Sequence, residues 1–130
     1  MLRERRVGLL QGLSYRGDLS MLAWVLHRVT GLGILILVGV HVIAAFHLHS
    51  IGGDVSAAIT AWYESKPVQV FVYFCVLYHA LNGLRVVIED LFPPLLRYRR
   101  ELLWLQWLVF LPVFGLPAFF MIADIVRGTV

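Results

Sequence analysis

The sequence predicts an all-α integral membrane protein with three spanning helices, and three observations carry that prediction. The 130 residues are 60% hydrophobic and 15% charged, with a mean hydropathy of +0.82. A water-soluble domain of this size would hardly stay in solution with that balance. Three apolar stretches, near residues 22–46, 68–92 and 102–126, each reach the roughly 20 residues that cross hydrocarbon at about 1.5 Å per residue. The charges fall near the ends of those stretches, where they can stay in or near the interface. Residues 1–130 then form one membrane domain, without internal repeats or low-complexity segments.

The elements follow in order. The first 20 residues contain Arg3, Arg5, Arg6, Arg16 and Asp18 and lack the uninterrupted apolar core of a cleavable signal, so the N-terminus is expected to stay on the mature protein. The first span is broken by charge only at His27 and Arg28, near its start. A loop from His47 to Pro67 carries Gly52 and Gly53, and its stretch from Val55 to Tyr63 predicts a short interfacial helix. The second span meets charge only at Arg85, Glu89 and Asp90, near its end. Pro93 and Pro94 then stop one helix, and Arg97, Arg99 and Arg100 open the next. Pro112 and Pro117 predict a kink or local unwinding in the third span, which carries Asp124 near its outer end.

Seven basic residues flank one side of the spans and only Lys66 and Arg127 the other, which predicts a cytoplasmic N-terminus and an outside C-terminus. A net charge of +3 distributed in this way does not point to nucleic acid. Cys75 is the single cysteine, so there is no internal disulfide and no thiolate cage, and any metal must come through histidine. Three helices bury little by themselves, and the chain is expected to pack against other membrane subunits.

His79 stands near the middle of the second span, where an ionisable group is costly and marks a functional candidate. Asn82, Gly83, Val86 and Asp90 share its face, and Gly83 opens a gap one turn away of the kind a flat macrocycle needs. Histidine is a usual axial ligand of an electron-transfer haem, and a second imidazole would come from another helix. The alternative is that His79 hydrogen-bonds a neighbouring helix. Trp24, His27 and Arg28, with Thr30, Gly31 and Gly33 just inside, are either interfacial anchors or a pocket in which Arg28 meets a haem propionate or a quinone carbonyl. Antiparallel spans would set His27 and Arg28 level with Arg85, Val86, Glu89 and Asp90. His41 would be level with about Tyr73, too far outward to share an iron with His79, leaving it structural or a ligand of a second, outer haem. His47 and His49 read as solvated loop side chains.

The run Ser20-Met-Leu-Ala-Trp24-Val-Leu-His27-Arg28-Val-Thr-Gly31, followed by Tyr78-His79-Ala-Leu-Asn-Gly83-Leu-Arg85-Val-Val-Ile-Glu-Asp90, strongly resembles the cytochrome b membrane anchor of succinate dehydrogenase, respiratory complex II. The resemblance covers all three spans and looks most like the actinobacterial and related menaquinone-using branch. It implies that His79 is an axial ligand of haem b, with Arg28, His27, Gly31 and Gly83 lining the haem, and that Ser20, Trp24, His27 and Arg28 serve a quinone. Two departures stand out: Trp24 occupies a position where many members have a quinone-binding serine, and Val86 one where some carry a further histidine.

The function so implied is electron transfer from succinate to a membrane quinone, with this chain as haem holder in the inner (cytoplasmic) membrane. Its partners would be a flavoprotein subunit, an iron-sulfur subunit and a second membrane anchor bringing the other histidine, and a higher oligomer of the complex is compatible with this. With one cysteine and no glycine-rich nucleotide loop, the chain has no means of holding flavin or iron-sulfur clusters itself. A fumarate reductase anchor and a haem-free structural anchor are the other readings.

Overall fold

A computed structural model describes residues 18–128, and the four arginines predicted to flank the first span lie outside them. Among the described residues the chain is helical, with no strand: α1 (Leu19–Ser50), α2 (Asp54–Glu64), α3 (Lys66–Leu91), a 3₁₀ turn (Pro93–Tyr98) and α4 (Arg99–Arg127). Three of these helices are long and apolar enough to cross a membrane. At 32 residues α1 is about 48 Å long, so it outruns a hydrocarbon core of about 30 Å. The expected helix between Val55 and Tyr63 is α2.

Local chemistry sets the boundaries. The Asp18 carboxylate accepts the N–H groups of Ser20 and Met21 at 3.1 and 3.2 Å and starts α1. Gly52 and Gly53, at φ of 78° and 129°, make the turn into α2 in a backbone region that side chains rarely enter. Pro67 in the first turn favours the start of α3, and Pro93 and Pro94 close it. Gly128 ends α4 in the left-handed conformation.

The three long helices run up, down and up, with α3 in the middle. Gly31 and Gly33 of α1 face His79 and Cys75 of α3, and the α1 residues that become buried are small: Ala23, Thr30 and Ala44. Small residues let the backbones of membrane helices approach closely, where dispersion and hydrogen bonds replace the missing hydrophobic drive. On its other side α3 meets α4 through Phe74 and Tyr78 against Trp107, Phe110 and Phe114, whose rings pair edge-on or tilted at 5.5–5.7 Å. Leu35, Ile43, Phe46, Leu108 and Val126 point outward, as lipid or partner helices require and water would not permit.

α4 continues as one helix through both prolines. Pro117 has no N–H for the Val113 carbonyl one turn earlier, and the Tyr73 hydroxyl of α3 donates to that carbonyl at 2.7 Å. Tyr73→Phe should therefore strand the carbonyl and cost about 1 kcal/mol, read as loss of structure at lower detergent in an SDS titration.

Candidate functional site

The interface between α1 and α3 holds two histidines one turn from two glycines. His27 is followed by Gly31 and His79 by Gly83, and because the helices are antiparallel each ring meets the other helix's glycine. A Cβ on Gly31 would lie 2.9 Å from His79 Cε1, and one on Gly83 would lie 3.5 Å from His27 Cε1. The two imidazoles stack at 4.0 Å with a 10° interplanar angle. The gap that the sequence suggested for a macrocycle, at Gly83, is thus occupied by the His27 ring. The register also differs by about one turn from the expected one: His27 is level with Gly83 and not with the segment from Arg85 to Asp90. The close seat of the His79 ring on Gly31, where a Cβ would come within 2.9 Å, favours this register.

His79 Nδ1 lies 3.0 Å from the His27 carbonyl oxygen. A carbonyl only accepts, so Nδ1 carries the proton and the lone pair of a neutral His79 is on Nε2. Thr30 supports the same carbonyl from its own helix, with its hydroxyl 2.7 Å from the Leu26 oxygen and 3.1 Å from that of His27. This is the arrangement in which ligating histidines are commonly held, with one ring nitrogen donating to a backbone carbonyl and the other turned to the metal. Next to His27 on α1, the Arg28 guanidinium lies over the ring of Trp24 one turn earlier, 4.0 Å from its centroid. Ser20 sits farther up, in an open cleft of about 660 Å³ shared with Asp18, Arg99 and Arg100.

The family model described as "Succinate dehydrogenase/Fumarate reductase transmembrane subunit" matches residues 3–116. The chain belongs to that family. It is similar to the "Succinate dehydrogenase 2 membrane subunit SdhC" of Mycobacterium tuberculosis (strain ATCC 25618 / H37Rv), with 39% identity over 100 residues, 75% of this chain and 73% of the relative. No solved structure matches it. The chain is therefore a transmembrane subunit of the succinate dehydrogenase/fumarate reductase family, a part of a multi-subunit enzyme.

Within this subunit Arg85 has a different environment from Arg28. Its Nε donates to Gln106 Oε1 at 3.0 Å, Nη1 to Glu89 at 2.7 Å and Nη2 to Asn82 at 3.0 Å, joining α3 to α4. Glu89 is only 2% exposed and also meets Arg99 at 3.5 Å. The role of Gln106 was missed in the sequence, although a lone amide in an apolar span is a signal in the same sense as a charge. Among the described residues no three His, Cys, Asp or Glu side chains converge as a metal cage.

His41 stacks on Tyr63 of α2 at 3.7 Å, and the one-turn difference in register sets it about a turn from the level of Tyr73. His47, expected to be a solvated loop residue, lies in the last turn of α1 with Nδ1 3.1 Å from Ser56 Oγ. Both histidines help seat the short helix against α1.

Proposed function

We propose that this subunit is the haem b-binding anchor of a succinate:quinone oxidoreductase, passing electrons from an iron-sulfur subunit to a membrane quinone. Menaquinone is the quinone that the resemblance implies. Succinate oxidation would then take place on a flavoprotein, and a second membrane anchor would bring a second histidine to the haem. The N-terminus and the connection between α3 and α4 face the cytoplasm in this reading, because Arg97, Arg99 and Arg100 outweigh Lys66 and Arg127 on the far side.

The observation that carries the proposal is the His79 hydrogen bond, since it orients the ring and leaves Nε2 to hold iron. Arg28 would meet a propionate or a quinone oxygen, Gly31 gives the His79 ring its seat, and Thr30 and the His27 carbonyl keep that ring from turning. A haem held in this way supplies a one-electron carrier. As a quinone is reduced, negative charge develops on its oxygens, and the Arg28 guanidinium in a water-poor setting stabilises it.

The stacked, interlocked rings favour one second reading, a haem-free anchor in which His79 only joins two helices. A reduced-minus-oxidised spectrum of the purified complex, counted per flavin, separates the two. One b-type haem per flavin is expected. Absence of an α band in the assembled complex would leave the haem-free anchor. Two components, the second lost in His41→Ala, would give His41 an outer haem. The direction, succinate oxidation or fumarate reduction, depends on the soluble subunits and the quinone potential.

A further inference from the structure

We infer that Trp24 is a positioning residue whose indole face holds the Arg28 guanidinium ready for the oxygen of a bound quinone. The inference rests on the quinone site proposed above and says how that site is kept in shape.

Arg28 of α1 and Arg85 of α3 differ in how they are satisfied. Arg85 uses all three of its guanidinium nitrogens on Gln106, Glu89 and Asn82. Arg28 meets no carboxylate, amide or carbonyl among the described residues; its contact is the Trp24 ring, 4.0 Å from the guanidinium carbon to the centroid. Arg28 is nine residues into α1, about 14 Å along its axis, where an unpaired charge is costly and a long side chain tends to bend back to the headgroups. The ring quadrupole offsets part of that cost without using any of the five N–H donors. It also keeps the flat group against a rigid surface, so that its edge stays free to meet an oxygen. Trp24 is 54% exposed and Arg28 is exposed too, so the pair faces away from α3, toward lipid or a partner helix. An aliphatic residue at position 24 would leave the guanidinium free to snorkel out of reach.

The test measures KM and kcat of the assembled complex for a short-chain naphthoquinone. Trp24→Leu should raise KM about tenfold, the effect of one desolvated cation–π contact. Trp24→Phe, which keeps a ring face, should recover most of that loss, and Trp24→Leu added to Arg28→Leu should change KM no further. Trp24→Met replaces the leucine variant if the latter fails to assemble. An unchanged KM in the aliphatic variants, with a raised KM in Arg28→Leu, would overturn the positioning role and leave the site standing. Effects that multiply in the double variant would also overturn it. Should Arg28→Leu itself leave KM unchanged, the quinone site fails and the inference with it.

Discussion

His79→Ala is expected to remove more than about 90% of the haem counted per flavin, because changes around a ligand alone already cost about 10–100-fold in affinity. The substitution removes the Nε2 lone pair and also the donor that reaches the His27 carbonyl at 3.0 Å. It further leaves a void against Gly31, whose missing side chain makes room for the imidazole. Some loss of α1–α3 packing therefore accompanies the loss of ligand, and the comparison needs a variant that keeps a polar group. His79→Gln retains an amide donor and cannot replace an axial imidazole, so it should assemble better than His79→Ala and still lack the low-spin b-type signal. An unchanged haem spectrum in either assembled variant would show that His79 is an interhelical strut and no ligand.

The spans were legible in the sequence because hydropathy acts locally: each apolar run satisfies its own backbone hydrogen bonds as a helix wherever its neighbours are. α2 was legible for the same reason, bounded as it is by Gly53 and Ser65. The pairing of His27 with His79 was not. Their stacking depends on which glycine each ring enters, and a shift of one turn costs nothing that a single-helix pattern records. Parallel reasoning from helix ends placed His27 opposite the segment from Arg85 to Asp90, while the seat of His79 on Gly31 brings His27 level with Gly83, a turn farther inward. The contact of His41 was not legible either, because it stacks on Tyr63 of α2 and the sequence assigned that helix no partner. The bond from Tyr73 to Val113 was legible only by halves: Pro117 announces a free carbonyl, but the donor comes from a residue 40 positions earlier. The polar network of α3 and α4 escaped because its acceptor on α4, Gln106, is uncharged.

Glu89→Ala is expected to be the most destabilising single change at the interface of α3 and α4, by about 3–5 kcal/mol, the usual cost of removing one partner from a buried ion pair. Glu89 is buried to 2% exposure and lies between Arg85 at 2.7 Å and Arg99 at 3.5 Å. Its removal leaves Arg85, itself largely buried, with Asn82 and Gln106 as neutral acceptors and no counter-charge. Arg99 is half-exposed and would turn toward the headgroups at little cost, so the penalty is concentrated on Arg85. Glu89→Gln, which keeps an acceptor oxygen, should cost less than Glu89→Ala. Arg85→Leu combined with Glu89→Leu should recover much of the loss, because burying neither charge avoids both desolvation penalties. The half-exposed pair of Lys66 and Asp124, at 3.6 Å across the far end of the same two helices, provides the scale: Lys66→Ala should cost less than about 1 kcal/mol. SDS titration of the purified subunit variants measures all four. If Glu89→Ala costs no more than Lys66→Ala, the network does not hold α3 to α4, and the aromatic packing of Phe74, Tyr78 and Phe110 must do so alone.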